Sequence, residues 1–531
     1  LWLNYQVGAL KPMGYHSINL LFHLLNVGLA FAFLLILSRG QLWLSLVAAG
    51  LFAIHPIHVE SVTWVAERKD VLYVFFFLLG LIMYVRWLRG GPKFLYYWCL
   101  VLFVLSCLSK AMAVVFPLIL FLLDYWESER PQDRSIGSEL SFFFRLDQWI
   151  NKIPFLLIAL GFGLLAVKVQ SEGGAVGEME TFTYPQRFMF AGYGFLMYIK
   201  LLFTGGPLST FYPYPNLTAD GTLPVIFNLA PFLVLGILLF AVWTLKRGKL
   251  IFTGIFFYLF SVLLVLQFLS VGQVVMADRY AYLPYIGLGL ILGGGFQWLA
   301  EQLSAKGQSE YLLLVPISLI FGLFSYQTFE RSKVWKDSET LWTNVIEQYP
   351  HVGLPYKNRG NHRAQLGQID AALQDLDIAR QLLPNDAALY ESLGNTYASS
   401  GKVQQAIPFY NRAIELDPEK PSAVLNRAIA LSQIRNFDAA FTDYQRALDL
   451  GADPRGLLPN RGYAFLDAGR YQESIRDYQE ALRYIPNQGS FYLYIGINFL
   501  NLGDKANART AFTNAQRLGQ SVEASLLQRA Q

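Results

Sequence analysis

The stretch "GNTYASSGKVQQAIPFYNRAIELDP" (394–418) decides the fold of the C-terminal part of the chain, because its pattern returns every 34 residues. Small side chains let two antiparallel helices approach closely, and a larger side chain between them fills the space against the next unit. The pattern therefore predicts five helical hairpins. The recurring positions are Gly360, Gly394, Ala428, Gly462 and Gly496; Ala372, Ala406, Ala440, Ser474 and Ala508; Leu376, Tyr410, Tyr444, Tyr478 and Phe512; and Ala379, Ala413, Ala447, Ala481 and Ala515.

The period and the order of small and large side chains resemble the tetratricopeptide repeat. We expect Pro384, Pro418 and Pro486 to end the second helix of their units, and residues 336–350 to form the second helix of a preceding half-unit. Such repeats stack into a curved solenoid whose concave groove often binds extended peptides. The alternative is a rigid spacer or a dimer contact. Candidate groove residues, equally compatible with ordinary repeat packing, are Tyr390, Asn395, Tyr397, Asn426 and Arg427.

Residues 1–330 have a different composition, dominated by long apolar runs. The chain is 54% hydrophobic and 15% charged, against about 25% charged in soluble proteins. Its net charge of +4 is too small to indicate nucleic acid, and Cys99 and Cys107 lie in one apolar run, which indicates no disulfide framework. Because about 20 apolar residues cross a membrane, the predicted spans are 14–37, 41–56, 70–88, 94–109, 111–125, 152–168, 224–245, 250–271, 280–299 and 311–329.

Basic residues in short loops predict which side of the membrane each loop occupies. Three clusters, placed in the cytoplasm, are Arg86, Arg89 and Lys93; Arg130, Arg134, Arg145 and Lys152; and Lys246, Arg247 and Lys249. Counting spans from these puts residues 1–13, 57–69, 272–279 and the repeats on the extracytoplasmic side. Residues 187–203 should then re-enter the membrane or lie in its interface. Because the chain begins at Leu1 close to an apolar run, we expect a first span to precede it.

The segment "HPIHVESVTWVAERKD" (55–70) concentrates ionisable groups between two apolar runs. If a helix follows Pro56, its spacing places Glu60, Trp64, Glu67 and Arg68 along one side. That helix would lie in the interface and present acids, an arginine and an aromatic ring to the membrane surface. The alternatives are a hydrated loop that only fixes topology, or a metal site built from His55, His58 and Glu60. No further residue at ligand spacing completes such a site.

Further polar residues lie at comparable predicted depth. Lys110 is near the external end of a span, where snorkelling to the interface is one explanation. Asp278 and Arg279 begin another span with Tyr280, and could pair with each other. The segment "GGPLSTFYPYPNLT" (205–218) adds an aromatic external loop. Since anionic phosphate needs Arg or Lys and a hydroxyl needs a carboxylate base, this convergence predicts an enzyme that acts on a lipid-linked substrate.

Four segments of the chain resemble a known family. They are "LKPMGYHSINLLFHLLN" (10–26), "HPIHVESVTWVAERKDVL" (55–72), "LSKAMAVVFPLILFLLDYW" (108–126) and "ADRYAYLPYIG" (277–287). Followed by tetratricopeptide repeats, they resemble the transmembrane and tetratricopeptide-repeat O-mannosyltransferases and their bacterial relatives. The implied fold is all-α, with a multi-span GT-C-like helical domain at 1–330, a half-repeat connector at 331–350 and a tetratricopeptide-repeat solenoid at 351–531.

The resemblance implies transfer of a sugar, mannose being favoured, from a polyprenyl- or dolichyl-phosphate carrier to a protein Ser or Thr hydroxyl. It assigns the catalytic base to the first external loop, most of which would precede this chain. The implied partners are the lipid-linked sugar donor, an acceptor polypeptide in the repeat groove and membrane lipid. No cofactor is required, and a divalent metal bound to the phosphate stays open.

The resemblance and the charge pattern together also predict the site and its cellular location. The location would be the bacterial inner membrane or the endoplasmic reticulum, with extracytoplasmic repeats. The candidate catalytic residues are Glu60, Glu67 and Asp70, and the candidate substrate-binding residues are His55, His58, Arg68, Lys110, Asp278, Arg279 and Tyr280.

Two other functions are compatible with these patterns. A non-enzymatic membrane anchor carrying a binding solenoid would depend on the groove and not on Glu60 or Arg279. An oligosaccharide ligase would transfer a whole glycan chain instead of one sugar. A transporter is disfavoured, because the ionisable groups gather at the ends of the predicted spans and not in their middle.

Overall fold

The computed structural model describes residues 6, 11–129, 131, 135–172, 182–218, 221–268 and 274–531, and helices dominate these ranges. The all-α prediction is confirmed. The chain forms two compact units, Leu1–Val345 and Ile346–Gln531. Their boundary falls inside a helix that spans Ser338–Gln348, within the segment predicted as a connector.

The first unit is a helical bundle. Its helices are α1 Pro12–Leu37, α2 Leu42–Ile54, α3 Val59–Thr63, α4 Arg68–Leu88, α5 Phe94–Ser109, α6 Phe116–Glu127, α7 Ile136–Ser141, α8 Asp147–Ile150, α9 Ile153–Glu172, α10 Tyr184–Thr204, α11 Val225–Trp243, α12 Leu250–Val262, α13 Tyr285–Ala305, α14 Leu314–Val334 and α15 Ser338–Gln348. Strands β1 Tyr212–Pro213 and β2 Val274–Met276 pair antiparallel.

Fewer helices than predicted have the length and composition of a membrane span. In the described residues four do: Pro12–Leu37, Val65–Leu88, Val225–Lys246 and Glu310–Val334. Leu42–Ile54 and Pro56–Thr63, bent by 50°, make a fifth if they are one span. The prediction of ten spans stays a prediction, since several of the predicted spans, such as 41–56 and 94–109, are shorter than these helices. The apolar helices Phe94–Ser109, Ile153–Val169 and Leu250–Val265 are shorter, and 111–125 is divided between a 3₁₀ turn, Ala111–Val115, and α6.

The bundle has two chemically different ends. At one end, which we call the basic end, Arg89 donates to the carbonyl of Ile36 over 2.7 Å, and Lys249 donates to the carbonyl of Ser128 over 2.6 Å. At the other end, Thr328 donates to the carbonyl of Ile54 over 2.6 Å. We call it the acidic end, because it contains the predicted site acids Glu60, Glu67 and Asp70. The basic clusters around Arg89, Lys152 and Lys249 thus share one end, whereas Arg130 and Arg134 lie outside the described residues.

Helix α10 contains residues 187–203 and runs across the acidic end of the bundle. It is continuous over 21 residues, which excludes a broken re-entrant loop. Along its length it contacts the ends of four other helices. These contacts are Phe190 with Phe227 (ring centroids 5.8 Å), Tyr258 donating to the Phe195 carbonyl (2.5 Å), Tyr285 donating to the Tyr198 carbonyl (2.8 Å) and the His55 ring with the Leu202 carbonyl (3.2 Å). The interfacial alternative stays a prediction.

The second unit consists of stacked helical hairpins. Their helices are α16 Gly353–Gln365, α17 Ile369–Leu382, α18 Ala387–Ser399, α19 Val403–Leu416, α20 Pro421–Gln433, α21 Phe437–Asp449, α22 Pro454–Asp467, α23 Tyr471–Tyr484, α24 Gly489–Asn501, α25 Lys505–Arg517 and α26 Ala524–Arg529. Helices α17, α19 and α23 each end two residues before Pro384, Pro418 or Pro486, as predicted. Each of these prolines lacks the amide proton that would continue its helix.

Close packing inside each hairpin explains the recurring glycines. A Cβ at Gly394 would lie 2.5 Å from the ring of Tyr410, and one at Gly496 would lie 2.4 Å from the ring of Phe512. The Tyr410 ring cannot easily move away, because its hydroxyl donates to Asn395 Oδ1 over 2.8 Å. The larger side chain therefore rests directly on the backbone of the first helix.

A second, less regular feature joins the two helices of most hairpins. Arginine on the first helix and aspartate sixteen residues later form paired hydrogen bonds, from Arg427 to Asp443 over 2.6 and 2.8 Å. Arg359 with Asp375 and Arg461 with Asp477 repeat this pair. In the second hairpin the equivalent positions are Leu393 and Phe409, which pack in one apolar cluster.

Candidate functional site

The charged segment 55–70 folds as three short turns and not as one helix. A 3₁₀ turn at Pro56–His58 leads into α3, the chain is extended at Trp64 with ψ 113°, and a second 3₁₀ turn, Val65–Glu67, leads into α4. The predicted arrangement of Glu60, Trp64, Glu67 and Arg68 on one exposed side is therefore wrong. The break at Trp64 turns Arg68 away from the other three, and Glu60 is only 1% exposed.

Arg279 connects this segment to the start of α13. Its Nη1 donates to Glu60 Oε1 over 2.6 Å, and its backbone amide donates to Glu60 Oε2 over 3.1 Å. Its guanidinium also lies over the rings of Trp64 (5.5 Å) and Tyr280 (4.8 Å). The neighbouring Glu60 carboxylate holds the pKa of Arg279 above its usual range even though burial opposes the charge. Arg279 is thus a fixed cation paired with a buried acid.

Lys110 is the second cation at the acidic end. Its Nζ forms an ion pair with Asp70 Oδ1 and lies 3.7 Å from Glu67 Oε2. The Lys110 side chain is 12% exposed, so it does not snorkel to the interface. Asp70 also accepts a hydrogen bond from Ser61 over 3.2 Å. Asp70 is therefore used to hold Lys110, as Glu60 is used to hold Arg279.

Asp278 does not pair with Arg279, the alternative that the sequence left open. It lies 3.3 Å from Arg331 Nη2 and accepts a hydrogen bond from Tyr212 Oη over 2.6 Å. Burial raises the pKa of Asp278 to about 7, although Arg331 opposes the shift. Arg331 also donates to Asn344 Oδ1 over 3.0 Å. Sequence reasoning missed Arg331. The only feature of the sequence that could have indicated it is the position of an arginine at the end of an apolar run.

A cavity of about 870 Å³ opens beside the two cations. Leu160 and Leu164, which are 59% and 64% exposed on α9, belong to its wall. The cavity therefore joins an apolar surface to an ionic one, and it has the size of small-molecule sites. Its ionic and aromatic lining residues are Trp64, Glu67, Lys69, Lys110, Arg279 and Tyr280, and its apolar lining residues include Met112, Val114, Ala159, Leu160, Leu164 and Val167.

Glu67 is the predicted acid that lines this cavity. Its Oε1 lies 3.3 Å from Lys69 Nζ and 3.7 Å from Arg279 Nε. These contacts are longer than the 2.6 Å contact of Glu60, so Glu67 is held more loosely. Among the predicted site residues, the structure brings Glu67, Lys110, Arg279 and Tyr280 to the cavity wall, with Glu60 and Asp70 directly behind.

The remaining predicted site residues face other groups. The His55 ring contacts the Leu202 carbonyl, and His58 is enclosed by aromatic rings, including Phe52 and Tyr282 at 5.0 Å each. Arg68 donates to Asn19 Oδ1 over 2.9 Å and to the Tyr15 carbonyl over 2.8 Å. Their assignment to substrate binding stays a prediction, as does that of Asp278.

A metal site at His55, His58 and Glu60 does not form. The histidine rings point into the helical core, whereas Glu60 points toward Arg279. Within the described ranges, no group of three or more His, Cys, Asp or Glu side chains is placed to hold a metal ion.

The predicted groove residues of the second unit divide into two groups. Arg427 is used in repeat packing, and Tyr397 stacks on Phe409 with ring centroids 5.1 Å apart. Asn395 and Asn426 line a cavity of about 260 Å³. Asn426 there donates to Glu391 over 3.0 Å. The cavity-lining pair are the better candidates for ligand contact.

Sequence comparison finds the tetratricopeptide repeat family at residues 357–421, 393–456, 425–488 and 460–523. It also finds proteins similar over about two thirds of the chain or more. The protein O-mannosyl-transferase Tmtc1 of Drosophila melanogaster is 25% identical over 433 residues, which cover 66% of this chain and 50% of that protein. TMTC1 of Homo sapiens is 24% identical over 430 residues, covering 73% and 47%. The chain spans about half the length of the curated relatives it matches.

Comparison with solved structures finds repeat proteins. A crystal structure of MamA covers 31% of this chain and 91% of its own, with a TM-score of 0.30 and 22% identity. The crystal structure of YrrB, described as a TPR protein with an unusual peptide-binding site, covers 36% and 97%, with a TM-score of 0.31 and 18% identity.

Proposed function

Because the chain is a relative of the transmembrane and tetratricopeptide-repeat O-mannosyltransferases, we propose that it transfers mannose from a polyprenyl- or dolichyl-phosphate carrier to a Ser or Thr hydroxyl of a polypeptide. The observation that carries this proposal is the cavity at the acidic end, which joins two partly buried cations to an apolar wall. A lipid-linked sugar needs both surfaces, one for its phosphate and one for its hydrocarbon chain.

The two cations would bind the carrier phosphate. Lys110 and Arg279 both line the cavity and are held by acids behind it, Asp70 and Glu60. Charge-assisted hydrogen bonds from such groups stabilise a phosphate oxyanion, and more strongly as negative charge develops on a departing phosphate. The prenyl chain would lie along Leu160 and Leu164 of α9.

The reaction would be an inverting displacement. A carboxylate removes the proton of the acceptor hydroxyl, the hydroxyl oxygen attacks the anomeric carbon, and the bond from that carbon to the phosphate oxygen breaks. Glu67 is the described carboxylate that we propose for contact with the acceptor, since it lines the cavity and is loosely held. Glu60 and Asp70 would position the cations.

The second unit would bind the acceptor polypeptide, through the surface that includes Asn395 and Asn426. We infer that the acidic end and the repeats are extracytoplasmic, because the predicted basic loop clusters around Arg89, Lys152 and Lys249 lie at the other end and such loops stay in the cytoplasm.

Transfer of labelled mannose by the purified, membrane-reconstituted protein tests the proposal. Polyprenyl-phosphate mannose and a Ser/Thr-rich peptide serve as substrates, and product mass separates one hexose from a whole glycan. Lys110→Gln is expected to lower transfer about 10- to 100-fold, since such a hydrogen bond contributes about 1.5–3 kcal/mol. Lys333→Gln is the control, because Lys333 is 55% exposed and its contacts, with Glu330 and the Phe329 ring, stay within its own helix. Equal loss in both variants, or no transfer with any lipid-phosphate sugar, contradicts the proposal.

A further inference from the structure

A second polar cavity, of about 440 Å³, lies at the basic end of the bundle, remote from the site above. The turn between α1 and α2 forms one part of its wall, the start of α12 another, and the last turns of α13 a third. Its lining includes Arg39, Gln41, Lys249, Gln297, Trp298 and Glu301. None of these residues takes part in the proposed transfer, so the cavity needs a separate explanation.

The turn that carries Arg39 has a strained backbone. Arg39 has φ +55°, in the left-handed region that favours glycine. Its side chain is 74% exposed and lies 3.3 Å from Glu127. Glu127 does not require it, because Arg89 already holds that carboxylate over 2.7 Å. A strained arginine where glycine would fit better points to a use for the guanidinium outside the fold.

Cations and acceptors come to the cavity from different elements. Arg39 and Lys249 bring positive charge from the α1–α2 turn and the start of α12. Helix α13 brings Glu301 and Gln297, which are joined by a hydrogen bond of 3.1 Å. Gln297 Oε1 is buried and accepts no hydrogen bond from the described residues. A ligand that matches both groups carries a negative charge and, within the span of the same cavity, a positive group with N–H donors.

Trp298 indicates that this ligand is a lipid. It lines the cavity and is 58% exposed, next to Leu299 at 40%. It also lies at the end of the predicted span 280–299, and tryptophan at the end of a span marks the level of lipid headgroups. We propose that the cavity binds the headgroup of a phospholipid with a primary ammonium, a phosphoethanolamine lipid. Its phosphate contacts Arg39, and its ammonium donates to Glu301 and Gln297 Oε1.

Native mass spectrometry of the full chain tests this inference. The protein is exchanged into micelles that contain phosphatidylethanolamine and phosphatidylcholine in equal amounts, and the retained lipid is counted. We expect phosphatidylethanolamine to be retained about tenfold more, because the quaternary ammonium of phosphatidylcholine has no N–H group to donate. Glu301→Gln should abolish this preference, while Glu330→Gln, an exposed acid at the other end, should keep it.

Arg39→Gly separates lost binding from lost folding. Glycine accepts the left-handed backbone, so this variant should unfold at the same temperature as the wild type or higher while losing the lipid. Equal retention of both lipids by the wild type, or an unchanged preference in Glu301→Gln, overturns the inference. Soluble phosphoethanolamine is added at about 1 mM, a concentration that occupies a site of millimolar affinity. If it displaces the lipid, the site binds a free metabolite and the lipid assignment is overturned.

Discussion

The pair of Glu60 and Arg279 is expected to stabilise the first unit strongly, and this can be measured. Glu60 is 1% exposed and Arg279 is 18% exposed, with 2.6 Å between their closest atoms. At an effective dielectric constant near 20, opposite charges about 4 Å apart attract by about 4 kcal/mol. Removal of one partner of a buried pair costs about 3–5 kcal/mol, because the other charge stays buried without compensation. We therefore expect a loss of about 3 kcal/mol for Arg279→Gln.

A double-mutant cycle isolates the interaction. Glu60→Gln, Arg279→Gln and the double variant are unfolded in mixed micelles of increasing SDS fraction, and unfolding is followed by tryptophan fluorescence. The double variant should lose much less than the sum of the two single losses, with a coupling of at least about 2 kcal/mol. The exposed pair of Glu330 and Lys333 is the control, and its coupling should lie between about 0 and 1 kcal/mol. Additive losses for Glu60 and Arg279 would refute the view that these two charges hold each other.

Three further predictions concern single contacts. Arg427→Leu alone should cost about 3–5 kcal/mol in urea unfolding, because it leaves the Asp443 carboxylate, 7% exposed, unpaired. The double variant with Asp443→Phe should recover most of this loss, because it recreates the Leu–Phe pair of the second hairpin. No recovery would contradict the view that the two kinds of pair are interchangeable. Gly394→Ala should cost about 1–3 kcal/mol by overpacking, whereas Gly456→Ala, which meets open space, should be neutral or stabilising in thermal unfolding. The pKa of Asp278, raised to about 7, means that the folded state keeps a proton that the unfolded state loses near pH 4. Stability should therefore fall as pH rises from about 4 to 7, and Asp278→Asn should flatten that slope in melting curves.

The repeats could be predicted almost completely from the sequence, because each unit repeats the same local solution. The spacing of Gly394, Tyr410 and Ala413 reflects one contact between two adjacent helices, so periodicity carries the whole geometry. The first unit has no such redundancy. The expected helix of the charged segment is interrupted at Trp64, and Glu60 in that segment contacts Arg279, which lies 219 residues away in the chain.

The sequence predicted which charged residues gather at the candidate site, but not which of them form pairs. Charge logic predicted that Lys110, Arg279 and several acids would gather at one end, and the structure brings them there. It could not predict that Asp278 pairs with Arg331, since Arg279, the next residue in the sequence, offered a simpler partner. Pairing among buried charges is set by long-range packing, and sequence spacing says little about it.

The Leu–Phe pair of the second hairpin, which lies between two hairpins with Arg–Asp pairs, has a consequence for the order of the hairpins. Near-identical repeats risk joining the wrong neighbour while the chain folds, or exchanging helices with a second molecule. If the first helix of the third hairpin paired with the second helix of the second, Arg427 would be buried against Phe409 and the guanidinium would lose its carboxylate. The mismatch would cost several kcal/mol, so these two positions disfavour helix exchange between the second hairpin and its neighbours, whereas the third and fourth hairpins carry the same Arg–Asp pair.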